Sequence, residues 1–231
     1  MKYNLSFGQR LILPFLLMIL GFVIVMAFNM LLQRLPIAPV AALRIGVVGQ
    51  DLLMFIVPAL VTALLVTRLA ADFLHLRSFP GWRKLLLWIG GLIVLFPLIE
   101  GLDRAIQQLP WPQWALDLEA SAEAATKALL GAPTVGNVIV NILLVGVLTG
   151  LSEELFFRGA LQGVLESRPM NAHLAIWLTA IVFSLFHFQP VGFVQRTLLG
   201  AFMGYSVRST GSLWTAVILH ALNNSAALFF L

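Results

Sequence analysis

The feature that most constrains this chain is a succession of apolar runs, each close to the length that crosses a bilayer, separated by short polar breaks. A spanning helix needs about 20 mostly apolar residues. Seven stretches reach or approach that length: 12–32, 45–66, 85–102, 135–166, 172–188, 191–207 and 213–231. Only 10% of the residues are charged and 60% are hydrophobic, whereas soluble domains carry roughly 25% charged residues. A single soluble core of this size cannot hide that much apolar surface, so lipid must cover part of it. The expected fold is an all-α, polytopic transmembrane helical bundle of about seven helices, an integral, multi-pass membrane protein. Pro190 marks a turn between the fifth and sixth runs, and Ser209-Thr210-Gly211-Ser212 marks one between the last two.

The first run is expected to be a retained transmembrane helix and not a cleaved leader. Lys2 and Arg10 give a basic start, but 11–32 is longer than the roughly 7–15-residue core of a signal peptide, and no small-residue cleavage site follows. There is no cysteine, which excludes a disulfide framework and thiolate chemistry. The net charge of +4 sits mostly in short loops, where it reads as a topology signal and a contact for anionic headgroups, not as a nucleic-acid patch. With the N-terminus inside, Lys2, Arg10, Arg68, Arg77, Arg83, Lys84, Arg158, Arg168 and Arg208 fall on the inner side. Arg34, Arg44, Arg104, Lys127 and Arg196 fall on the outer side. That bias predicts a cytoplasmic N-terminus and an external C-terminus.

Residues 103–133 form the one sizeable polar stretch. Trp111 and Trp114 are interface residues, and Asp117, Glu119, Glu123 and Lys127 alternate with Ala and Leu. The pattern predicts an amphipathic helix on the outer surface, or a lid over a substrate entrance. Gly146/Gly150 and Gly200/Gly204 each have the spacing that lets helix backbones approach closely. The chain divides into residues 1–134, N-terminal membrane helices plus the surface segment, and residues 135–231, a helical core that carries the chemistry, within one membrane unit.

An ionisable residue inside a spanning segment is costly and marks a candidate site. Three clusters qualify. Glu153-Glu154 precede Arg158; Glu154 and Arg158 lie four apart and share a helix face, while Glu153 points about 100° away. One carboxylate is thereby neutralised and the other is left to act as a general base. The plainer alternative places both glutamates at the water interface where the helix ends. Phe183 and His187 share a face of the next run, and His220 and Asn224 share a face of the last. A lone histidine in an apolar helix is often just a satisfied core residue. Asn224 would either orient the His220 imidazole or donate to an oxyanion. Helix rise puts Glu153 roughly 20 Å from an inner end near Glu166, His187 roughly 21 Å along its helix, and His220 roughly 12–14 Å into the last one. Convergence therefore requires a long fourth helix; one ending at Arg158 would separate Glu153 from His187. No Asp-His-Ser arrangement involves Ser152 or Ser184, and there is no H-E-x-x-H zinc motif.

The ordered set E-E-x-x-x-R, F-x-x-x-H and H-x-x-x-N, met here as Glu153-Glu154 with Arg158, Phe183 with His187, and His220 with Asn224, resembles the CPBP family. That family includes the Ras-converting CAAX proteases and the bacteriocin-processing Abi proteins. The resemblance covers roughly residues 135–231. It implies peptide-bond hydrolysis in a cavity between membrane helices, with Glu153 and His187 activating water, His220 and Asn224 stabilising the oxyanion, and Glu154 and Arg158 holding the site together. It implies a peptide or protein substrate, prenylated or membrane-bound in the family's best-known case. It leaves open whether the enzyme is a glutamate protease with no cofactor or a metalloprotease, in which His187, His220 and Glu153 would hold zinc. Two other readings remain: a non-catalytic immunity or scaffold protein of the same fold, and a small transporter in which Asp51 and Glu100 join a proton relay.

Overall fold

The computed structural model describes residues 5–167 and 171–228. Lys2, Arg168 and the last residues of the final expected helix, to Leu231, lie outside them. The described residues form nine helices and no strand. They are α1 (Phe7–Leu32), α2 (Pro39–Val66), a single turn α3 (Ala70–Phe73), α4 (Trp82–Gln107), α5 (Gln113–Leu130), α6 (Val135–Glu166), α7 (Ala172–Leu185), α8 (Phe193–Thr210) and α9 (Leu213–Ala227). Local signals set several of these ends. Ser6 and Gln9 form a reciprocal capping box at the start of α1, which satisfies two otherwise orphaned backbone donors. Gly131, at φ 68°, closes α5, and Gly211, at φ 69°, closes α8; both positions need the left-handed region that glycine enters freely.

Among the described residues four helices, α1, α2, α4 and α6, are long and apolar enough to cross a membrane, with 26, 28, 26 and 32 residues. Their outward faces carry Leu16, Ile19, Leu20 and Val23 on α1 and Leu87, Ile93, Val94 and Leu98 on α4, each more than half exposed. Apolar side chains turned outward in this density mark a surface covered by something other than water, and the chain is an integral membrane protein. The other apolar runs make shorter or more polar helices. Helix α7 has 14 residues, and α9 has 15. Helix α8 carries Gln195, Arg196, Thr197, Ser206 and Arg208 along its length. The expected polar segment 103–133 resolves into two parts, because α4 continues to Gln107 and the surface helix α5 begins only at Gln113.

One core runs through both halves of the chain. Met18, Phe55, Ala59 and Ala63 from α1 and α2 pack with Phe156, Phe157, Leu161, Phe183 and Met203 from α6, α7 and α8. At its centre is a chain of aromatic rings: Phe15 to Phe156 at 6.2 Å, Phe55 to Phe156 at 5.8 Å, Phe156 to Phe157 at 5.0 Å and Phe157 to Phe183 at 5.1 Å, mostly edge-on. Helix α6 threads this core, and its pitch changes as it does so. Ile142–Thr149 and Leu155–Leu161 are wound as π-helix, and so is Asp51–Ile56 in α2. Such wide turns concentrate at functional sites. Between the two in α6 lies the α-wound segment Gly150–Glu154, which carries the paired glutamates.

Candidate active site

Helix α6 reaches Glu166 as one continuous element, which meets the length condition for convergence. Glu153 and Glu154 are buried mid-helix, at 9% and 0% exposure, not at a frayed end in water. Helix α9 packs against α6 at the glycines. A Cβ on Gly146 would sit 2.5 Å from Ser225 Oγ, and one on Gly150 would touch Ala221 N at 3.4 Å and His220 Cβ at 3.6 Å, so α9 lies directly along this glycine face and brings His220 to the glutamates.

The two carboxylates have different partners. Glu154 Oε1 accepts from Arg158 Nη1 and from His220 Nδ1, both at 2.7 Å. Arg158 Nη2 donates to the Gly200 carbonyl at 3.0 Å, and its guanidinium carbon stands 4.5 Å from the Phe183 ring centroid. The cation is thus enclosed by a carboxylate, a carbonyl and an aromatic face. Glu153 has no share in this pairing. Its Oε2 lies 3.6 Å from His220 Nε2. It opens with His187 onto a cavity of about 520 Å³ lined by α1, α2, α6 and the turn after α7, with Met18, Phe22, Met54, Phe55 and Phe157 among its walls. Both imidazoles are held by their Nδ1 atoms: His220 by Glu154, and His187 by the Phe183 carbonyl at 2.9 Å. A carbonyl can only accept, so His187 Nδ1 carries its proton and Nε2 of the neutral ring keeps its lone pair.

His187 does not stand on a helix. Helix α7 ends at Leu185, short of the expected 188, and the chain turns through Phe188 at φ 53°. A bulky side chain in the left-handed region costs on the order of 1–3 kcal/mol and persists only where surrounding contacts hold it. Asn224, expected beside His220 or an oxyanion, donates from Nδ2 to the Val145 carbonyl at 3.1 Å; its second N–H is not used in that bond. The site also contains a residue that the sequence had suggested only as part of a proton relay. Asp51, fully buried in the wide turn of α2, accepts from Thr149 Oγ1 at 2.9 Å and Ser152 Oγ at 3.0 Å. Through Ser152, the residue before Glu153, it is joined to the segment that carries the glutamate pair. Its signal in the sequence is a lone acid in an apolar run. Ser152 is thereby occupied, and the Ser184 hydroxyl donates to the Phe193 carbonyl, so neither is placed as a nucleophile.

Among the described residues, no three His, Asp or Glu side chains converge as a metal site requires. His220 Nδ1 and His187 Nδ1 are both committed to protein acceptors. With Nδ1 so held, each Nε2 is the nitrogen a zinc ion would use, beside the Glu153 carboxylate, and no step below is routed through a metal.

The family model described as type II CAAX prenyl endopeptidase, Rce1-like, matches residues 135–226. That match agrees with the resemblance carried by the three motifs. The Rce1-like region starts at the first residue of α6 and ends one residue before the end of α9. It therefore contains every candidate residue of the three motifs, whereas the cavity wall from α1 and α2 lies outside it. No curated protein and no solved structure matches the chain.

Proposed function

We propose that this chain is an intramembrane endopeptidase in which Glu153, assisted by His187, takes a proton from a water molecule as that water attacks a peptide carbonyl. The observation that carries this reading is the division of labour within the glutamate pair. Glu154 is committed to Arg158 and His220, while Glu153 faces a cavity that it shares with His187. Addition of hydroxide makes a tetrahedral oxyanion. The donors at hand to stabilise it are the second N–H of Asn224 and, when both ring nitrogens carry protons, Nε2–H of His220, aimed by Glu154. The proton held by Glu153 then passes to the leaving amine. The Rce1-like family is one of peptidases, and a mostly apolar cavity wall suits a peptide or protein substrate with a membrane-embedded or lipid-modified segment.

We also read α7, α8 and α9 as crossing the membrane, giving seven passes with the N-terminus inside. Hydrogen bonds support this by sorting the loops to two ends. At one end Arg44 binds the Leu130 carbonyl, Asn137 and Asn141, and Glu119 binds the turn after α7. At the other, Trp88 and Lys84 bind Ser209, and Trp214 binds the Leu76 carbonyl.

The test is cleavage of a panel of prenylated and unmodified membrane peptides by detergent-purified protein. Glu153→Gln should lower the rate by about 10²–10⁴-fold while the melting temperature stays near that of the parent. Retained cleavage in that variant rules out Glu153 as the base. If the parent cuts nothing in the panel, the non-catalytic reading is favoured. Near-stoichiometric zinc that leaves and returns together with activity would overturn the metal-free mechanism.

A further inference from the structure

The turn that presents His187 is strained at Phe188, and one of its restraints, Glu119, comes from outside the Rce1-like region. Helix α5 sends Glu119 onto it. Glu119 Oε1 accepts from the backbone N–H of Val191 at 3.0 Å and of Gly192 at 3.3 Å, and Oε2 accepts from Gln189 Nε2 at 3.2 Å. One carboxylate therefore binds three donors, on Gln189, Val191 and Gly192, within five residues of His187. It also places negative charge at the N-terminal end of α8, where the unpaired N–H groups favour it. Arg196 completes the clasp from α8, donating to the Gln189 side chain at 3.1 Å and to the Gln189 carbonyl. Asp103, at the end of α4, accepts from Gln195. The remaining acids of α5 do no such work: Glu123 pairs with Lys127 on the same exposed face, and Asp117 accepts from Gln113.

We infer that Glu119 is a positioning residue of the peptidase, and that through the 189–192 backbone it fixes the turn from which His187 enters the cavity. The inference rests on His187 serving in catalysis, as proposed above. Without the carboxylate, Val191 and Gly192 lose their acceptor, and the turn can relax out of its left-handed kink at Phe188. His187 then enters the cavity over a wider range of angles. Substrate still reaches the walls of α1 and α2, so the loss falls on turnover and not on binding.

The experiment compares parent, Glu119→Gln, Glu119→Ala, Glu123→Ala and His187→Ala in steady-state cleavage of one peptide, with hydrogen–deuterium exchange over residues 186–192. For Glu119→Ala the expectation is a fall in kcat of about tenfold or more with KM within about twofold, since misplaced catalytic groups forfeit proximity. Exchange at Val191 and Gly192 should be faster. Glu119→Gln keeps one acceptor oxygen and should fall between; if the alanine variant does not fold, this variant alone decides. Glu123→Ala should match the parent. Parent-like kcat in both Glu119 variants, or a rise in KM alone, overturns the positioning role while leaving the catalytic reading standing. Parent-like activity in His187→Ala overturns the catalytic reading instead.

Discussion

Two adjacent glutamates differ because a helix turns 100° between them. Glu154 is turned toward Arg158 and His220, whereas Glu153 is turned toward the cavity. Arg158 is the more informative residue for stability. It is 1% exposed and its charge meets Glu154, the Gly200 carbonyl and the Phe183 ring. Removing it leaves a buried carboxylate with only a histidine for company. Arg158→Ala should therefore destabilise the protein by roughly 3–5 kcal/mol, seen as a lower melting temperature in detergent and a lower yield. Arg158→Lys keeps the charge but cannot donate to Glu154 and Gly200 at once from a planar fork, so it should fall between the two. A parent-like melting temperature for Arg158→Ala with activity lost would place Arg158 against the substrate instead. The sequence made the Glu154–Arg158 pair legible because both residues lie on one helix face. It could not show that His220, 66 positions away, binds the same oxygen, or that Glu119 reaches Val191 from 72 positions away.

At the scale of elements, close approach between helices is what allows polar groups to meet inside an apolar bundle. Gly200 is the clearest case on α8. A Cβ there would sit 3.0 Å from Arg158 Nη2, 3.2 Å from Ala180 Cβ and 3.3 Å from Ala180 Cα. Two of these neighbours are tightly placed parts of α7, so the added atoms of Gly200→Val must push α8 away from α7 and from Arg158. Overpacking of this kind costs roughly 1–3 kcal/mol. A drop in melting temperature is expected for Gly200→Val, while Gly90→Val on α4, where nothing lies within 4 Å, should leave it nearly unchanged; equal effects would show that helix propensity and not packing is being measured. Helix existence was legible because apolar runs of spanning length leave few alternatives, and α6 does continue to Glu166. The end of α7 was not legible. Phe186 and Phe188 continue an apolar pattern, yet the chain leaves the helix before them. The local hint is Pro190; the decisive restraints, Glu119 and Arg196, act through tertiary contacts.

For the whole molecule, the way the bundle sits in the membrane decides the side from which a substrate meets Glu153. Loop charges favour an inner N-terminus, although Arg158 is enclosed by Glu154 and Phe183 and so drops out of any tally of loop charge. Arg44 is likewise spent on Asn137, Asn141 and the Leu130 carbonyl, and Arg196 on Gln189, which thins the outer side as well. The bias that survives comes from Arg68, Arg77, Arg83, Lys84 and Arg208 at one end of the bundle, against Arg34, Arg104 and Lys127 at the other. Since the chain has no cysteine, single-cysteine labelling needs no altered background. In intact cells a membrane-impermeant thiol reagent should modify Arg34→Cys and Gln108→Cys. It should spare Gly81→Cys and Arg208→Cys until the membrane is opened. The reverse pattern would invert the orientation and keep the seven passes. Labelling of Arg208→Cys together with Gln108→Cys, while Gly81→Cys stays protected, would show that α7 and α8 do not both cross. That result would also break the Trp88–Ser209 contact, on which the shared end of α4 and α8 depends.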